Sequence, residues 1–285
     1  MSGTLFVVAT PIGNLEDVSA RAVRVLREVA VIAAEDTRRT SHLLARYGIQ
    51  TSLTSLHEHN EREKAASLLS RLAGGESVAV VSDAGTPTIS DPGSHLIASA
   101  IEAGIRVESV PGPSAILALL AVSGLPTQPF TFLGFVPNRS KDRAGWIRRL
   151  KDVPGTSVFF ESPHRLHQTL DAISDQYGEC HIVVGRELTK VHEEVLRGPV
   201  SAVKKKLGEP RGEFCLAINL TMWAVSSDEP EGQAVDDAAI GACFRQITET
   251  APLSRRAAIA AVSKRLGVAP NKIYAALERQ KTSVE

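Results

Sequence analysis

Over the first 125 residues, short apolar blocks alternate with longer amphipathic stretches. The blocks lie at Leu5–Ala9, Val31–Ala34, Ser52–Leu56, Val78–Ser82 and Val107–Val110. Uninterrupted apolar runs such as VIAA and VAVV mark strands buried on both faces. Between the blocks, near 18–30, 38–47, 61–73, 94–103 and 114–123, apolar residues recur every three or four positions, the spacing of one helix face. Strand and helix in alternation predict a mostly parallel sheet covered on both sides.

GLPTQPF (124–130) interrupts the alternation with Gly and Pro and divides a first α/β domain, 1–125, from a second, 126–225. In the second part, strand patterns at 130–135, 157–162, 181–188, 193–198 and 214–220 flank helical patterns near 140–151, 164–177 and 199–207. The close spacing of 181–188 and 193–198 predicts a hairpin, hence a mixed sheet. SSDEPEGQ (226–233) reads as a linker. Beyond it, 236–285 is helical in pattern. Gly267 marks a helix stop and Pro270 a new start, an arrangement that fits a helix-turn-helix or a plain helical hairpin. The predicted fold is therefore α/β, with two α/β domains and a small helical C-terminal domain.

Composition excludes several classes. The longest apolar runs are too short to span a membrane, the N-terminus lacks the basic start of a signal peptide, and a cytoplasmic setting is expected. Cys180, Cys215 and Cys243 stand apart with no metal-ligand spacing, so no metal is expected. The 32 basic and 32 acidic residues cancel, which argues against nucleic-acid binding by bulk charge alone. The charge is locally uneven, however: Arg139–Lys151 carries six basic residues against one Asp.

Three turns hold the candidate chemistry: ATPIGNL (9–15), SDAGTPTISDPG (82–93) and VPGPSA (110–115). Each follows a strand pattern and precedes a helix pattern, the placement of a ligand crevice at the carboxyl ends of strands. Glycine lets backbone approach a ligand closely. Neither GxxxxGK[ST] nor GxGxxG is present, which argues against a phosphate-binding loop of the nucleotide hydrolases and against ordinary dinucleotide binding.

In order along the chain, ATPIGNLEDVSARA, AAEDTRRTSHLL, SDAGTPTISDPG, VPGPSA, FFESPHRL and GRELTK resemble the ribosomal small subunit methyltransferase I family, within the tetrapyrrole-methylase-like class III methyltransferases. The resemblance implies a cleft between the two α/β domains that holds S-adenosylmethionine. It also implies a homodimer and 2′-O-methylation of a cytidine in the decoding region of 16S rRNA in the small ribosomal subunit. Matched positions imply cofactor contacts from Pro11, Ile12, Gly85, Thr86, Ile89, Ser114 and Ala115. Thr86 stands where relatives carry an acidic residue, and Asp83 is the nearest carboxylate before it.

Methyl transfer to a ribose hydroxyl needs alignment and benefits from a nearby base. Polar candidates for the catalytic role are Asp36 and Arg38 after the second strand, and Glu187 and Lys190 after the 181–188 strand. Asp36 also reads as a helix N-cap, and Lys190 would serve as a base only with a lowered pKa. Candidate RNA contacts are Arg139, Lys141, Arg143, Arg148, Arg149, His164, Arg165 and Arg186, with Trp146 and Phe135 as nearby aromatics. His57 and His59 read as ordinary loop histidines. Two alternatives remain: a methylase of a tetrapyrrole or other small molecule, and a ligand-sensing regulator that binds DNA through its helical tail.

Overall fold

A computed structural model describes residues 2–221, 237–250 and 255–266 and positions 273, 276 and 277. The first five strands are β1 (Thr4–Val8), β2 (Val31–Ala34), β3 (Leu53–Ser55), β4 (Val78–Val81) and β5 (Arg106–Val110). They form one parallel sheet in the order β3-β2-β4-β1-β5. Every residue of β2 and β4 is buried, because helices cover both faces.

Helices α1 (Ala20–Glu28), α2 (Thr37–Arg46), α3 (Glu61–Ala73), α4 (Ser94–Glu102) and α5 (Ala115–Ser123) connect the strands. Ser19, Asp36 and Ser114 cap α1, α2 and α5 by accepting from main-chain amides. α4 has no such cap of its own. The buried Glu61 carboxylate, on α3, accepts instead from the amides of Gly93, His95 and Leu96, at 3.1, 2.8 and 3.2 Å. This cross-helix cap fixes the end of the long loop between β4 and α4.

The second sheet holds β6 (Phe130–Phe135), β7 (Thr156–Glu161), β8 (His181–Arg186), β9 (Glu194–Pro199) and β10 (Phe214–Ile218), ordered β6-β7-β10-β8-β9. β6 and β7 are parallel, and every other pair is antiparallel, including the expected β8–β9 hairpin. Helices α6 (Ser140–Arg148), α7 (Pro163–Tyr177) and α8 (Val200–Leu207) pack on one face through Ile147, Leu166, Leu170, Ile173, Val203 and Leu207. α5 packs on the other through Ile116, Leu119 and Leu120. Because α5 follows β5, the two sheets share that core, and 1–224 is one compact unit. The expected helix over 140–151 is shorter: α6 stops at Arg148 and Leu150–Asp152 forms a separate 3-10 turn.

Residues 225–285 form a second unit. In it α9 (Asp237–Thr250) and α10 (Arg255–Leu266) bury Ile240, Cys243, Ile259 and Val262 together with Ile273, Ala276 and Leu277. The linker expected at 226–233, and the expected stop and restart at Gly267 and Pro270, lie outside the described residues. Among the described residues, no helix is long and apolar enough to cross a membrane, and no group of His, Cys, Asp and Glu is placed to hold a metal.

Candidate functional site

The three turns meet at the carboxyl edge of the first sheet. Thr10 and Gly85 exchange both main-chain hydrogen bonds, at 2.8 and 3.0 Å, joining the first turn to the second. The Thr10 hydroxyl donates to the Ser82 carbonyl at 3.1 Å, and the Ala9 amide donates to Val110 at 3.1 Å. Gly85 has φ +82, and a Cβ there would sit 3.4 Å from the Ile12 side chain. A Cβ on Gly112 would sit 3.1 Å from that of Ala9. Pro11 and Ile12 are buried, whereas Ile89 is exposed between Thr88 and Ser90, both of which take left-handed backbone. Pro11, Ile12, Gly85, Thr86, Ser114 and Ala115 thus lie on turns that meet at the carboxyl ends of β1, β4 and β5, the place for a crevice. The Gly85 amide and carbonyl already serve Thr10, and the Ser114 hydroxyl caps α5. Both residues therefore shape the crevice more than they offer free polar groups.

Carboxylates gather where β2 and β4 end. The Asp83 carboxylate accepts from the Asp36 amide at 3.0 Å, and the Asp83 amide donates to the Glu35 carboxylate at 3.2 Å, a reciprocal brace. Arg39 pairs with Asp83 at 3.3 Å. Asp91, on the same loop as Gly85, is partly buried beside Glu35 and Asp83. Burial, reinforced by the Glu35 charge, pushes its pKa up to about 6. Asp36 is the N-cap of α2 and receives the Arg38 amide and guanidinium, which hold its carboxyl at about 2.

On the second sheet, the ends of β6, β7 and β8 lie along one edge. The fully buried Glu161 carboxylate accepts from the Ser162 amide (2.7 Å), the Arg165 guanidinium (2.7 Å) and the Thr169 hydroxyl (2.6 Å). Arg165 extends on to the Val136 carbonyl and to Asn138, fixing the segment that leads to Arg139. Arg186 donates to the Arg211 carbonyl and faces Glu194 at 3.8 Å. Lys190 lies 3.0 Å from both Glu187 and Glu213. This edge abuts the first turn: the Asn14 amide donates to the Thr189 hydroxyl at 3.1 Å, and a Cβ on Gly13 would collide with the Lys190 side chain.

Lys190 would serve as a base only with a lowered pKa, and these contacts raise it instead. Burial does pull its pKa down, but hydrogen bonds to Glu187 and Glu213 outweigh it and the net shift is upward. Burial pushes the Glu187 carboxyl up, and the Lys190 hydrogen bond, the Glu213 amide and the charges of Lys190 and Arg186 together more than reverse that, leaving it lowered. Arg139, His164, Arg165 and Arg186 share the strand-end edge. Lys141 and Arg143 are on α6, with Arg148 and Arg149 at its far end, about 12 Å along the axis. Trp146 packs edge-on to Phe159 and belongs to the core, whereas Phe135 is exposed. His57 is not a satisfied loop histidine: its Nδ1 is buried without a hydrogen-bond partner among the described residues. The sequence reading missed Asp91 and Glu61, whose roles depend on elements distant in the chain.

The family profile of the Tetrapyrrole (Corrin/Porphyrin) Methylases matches residues 4–204. A Pseudomonas aeruginosa protein named ribosomal RNA small subunit methyltransferase I is 44% identical over 285 residues, covering 98% of this chain and 98% of its own length. A protein of the same name from Halalkalibacterium halodurans is 48% identical over 218 residues, 76% of this chain and 75% of its own. Among solved structures, a diphthine synthase superposes with a TM-score of 0.62 at 17% identity, covering 76% of this chain and 90% of that one, and shares the fold. With a profile match over most of its length and a relative of this identity from end to end, the chain belongs to the tetrapyrrole methylase family and, within it, to the ribosomal RNA small subunit methyltransferase I group.

Proposed function

We propose that this chain transfers a methyl group from S-adenosylmethionine to the 2′-hydroxyl of a cytidine in the decoding region of 16S rRNA, in the small ribosomal subunit. The observation that carries the reading is the meeting of the three joined turns with the Arg- and Lys-bearing edge of the second sheet, in a chain that matches relatives of that name end to end. Such a substrate belongs to the cytoplasm.

The residues fit the cofactor. Gly85 and Gly112 keep the turns free of side chains that would crowd Ile12 and Ala9, and the carboxylates of Glu35, Asp36 and Asp83 suit a ligand carrying a sulfonium and an ammonium. Pro11, Ile12, Gly85, Thr86, Ile89, Ser114 and Ala115 would hold it, largely through backbone. When bound, S-adenosylmethionine supplies an electrophilic methyl group.

Arg139, His164, Arg165 and Arg186 would hold rRNA phosphates beside the crevice, and Lys141, Arg143, Arg148 and Arg149 would extend that contact along α6. At neutral pH Lys190 is an ammonium, while Asp36 and Glu187 are carboxylates whose lowered pKa makes them weak proton acceptors. These groups, with Arg38, therefore position the ribose, and the rate comes chiefly from aligning hydroxyl and methyl. α5 supports a homodimer. It is apolar up to its last residue, Ser123, yet Leu117 and Val122 are 57% and 47% exposed, as expected of a helix with a second apolar partner.

The test uses small subunits from a strain lacking the protein. They are incubated with the purified chain and S-adenosylmethionine, and the 16S rRNA is mapped by alkaline cleavage. A 2′-O-methyl group removes the hydroxyl that attacks the adjacent phosphodiester. One newly protected cytidine in the decoding region is expected. No protection from a chain that demonstrably binds the cofactor would refute the assignment.

A further inference from the structure

β6 breaks its own alternation. Phe132 points to the face covered by α5 and Leu133 to the face covered by α6–α8. Strict alternation would send Phe135 to the side of Leu133. Instead the pairing with β7 slips: Phe132 opposes Val158, but Phe135 opposes Phe160, so one strand spends three steps where the other spends two. Gly134 takes φ +69, and a Cβ there would meet nothing, so glycine is required by the backbone and not by space. The bulge re-aims Phe135 so that its ring lies 5.3 Å from that of Phe160, itself 5.0 Å from Phe132. Val136, the next residue, is buried on the opposite face. Phe135 is left 56% exposed.

The Phe135 ring rests on Phe160, which packs in turn on Phe132, and its outer side is open to a ligand. Its surroundings indicate which ligand. Arg165 grips the Val136 carbonyl and Asn138, Arg139 follows directly, and His164 and Arg186 lie on the same strand-end edge. Aromatic face beside cations is the arrangement that binds an unstacked base and its phosphate.

We propose that Phe135, braced by Phe160, is the stacking platform for a base of the RNA substrate, unstacked from its neighbours as the ribose enters the crevice. The proposal rests on the functional reading above and adds a positioning residue to it. The Gly134 bulge is the device that turns the ring toward the substrate.

The experiment compares wild type, Phe135→Ala, Phe135→Leu and Phe135→Trp as full-length chains, with methyl transfer to small subunits as the readout. Cofactor affinity and sedimentation are measured in parallel. Phe135→Ala and Phe135→Leu are expected to raise KM for the subunit about tenfold, with cofactor affinity and oligomeric state unchanged, and Phe135→Trp to restore it. Phe135→Leu at wild-type KM would overturn the platform, since an aliphatic side chain cannot stack. Dissociation of Phe135→Ala into monomers would also overturn it, assigning the ring to a second copy of the chain. A wild-type chain that methylates no subunit would instead overturn the functional reading, and the platform with it.

Discussion

Asp91 is a charge in the wrong place for stability. It is partly buried and faces Glu35 and Asp83, with Arg39 as the nearby cation pairing Asp83. Its pKa stands at about 6 against an ordinary 3.8. The folded state therefore binds more protons than the unfolded state between those values, so stability falls as pH rises from about 4 through about 6. The full shift corresponds to ~3 kcal/mol. Water reaches this half-exposed group and screens the penalty, leaving about 1 kcal/mol. Asp91→Asn removes the charge and keeps a polar group near Ser82. In a chain of this size, thermal unfolding of the variant should occur about 2–4 °C above wild type at pH 7.5. The gap should shrink to less than half at pH 4, where the folded wild type is mostly protonated and the unfolded chain is only partly ionised. A variant that melts below wild type at pH 7.5, or a gap of equal size at both pH values, would refute the placement of this carboxyl among its neighbours.

Glu161→Ala strips a fully buried carboxylate from Arg165 and Thr169 and should cost ~3 kcal/mol in denaturant unfolding, with Glu161→Gln costing less. Gly85→Ala forces a side chain into φ +82 beside Ile12, so calorimetric titration should show weaker cofactor binding and unfolding a loss of about 1 kcal/mol. Removal of 236–285 leaves the 1–224 unit complete and should preserve cofactor binding while raising KM for the small subunit; an unchanged KM would remove the tail from substrate recognition.

The first sheet was legible because β2 and β4 are buried on both faces: VIAA and VAVV announce themselves as runs, and both strands begin where the pattern does. The N-cap role of Asp36 was equally local. What could not be read is what two distant segments do to each other. Lys190 has no lowered pKa because Glu213, 23 residues away, joins Glu187 against it. Asp91 is raised by burial and by Glu35, and the cap of α4 comes from Glu61 on another helix. The bulge at Gly134 was hidden for a different reason. FTFLGF fits a strand whether or not it slips, and only its pairing with β7 shows that Phe135 has changed faces.

The same long-range contacts explain how the crevice is built. Its floor is made of hydrogen bonds between turns, Thr10 to Gly85 and Ala9 to Val110, which leave little for side chains to determine there. Beside it stands the segment after β8, where two carboxylates hold Lys190 against the first turn. Floor and segment are fastened by the Asn14–Thr189 hydrogen bond, and Ile12 and Leu188 share a core with α5. Moving one half against the other would expose that core. A site fastened in this way reaches its geometry on folding, before any ligand arrives. That suits a reaction in which the protein's main contribution is to hold a weak nucleophile in line with a methyl group.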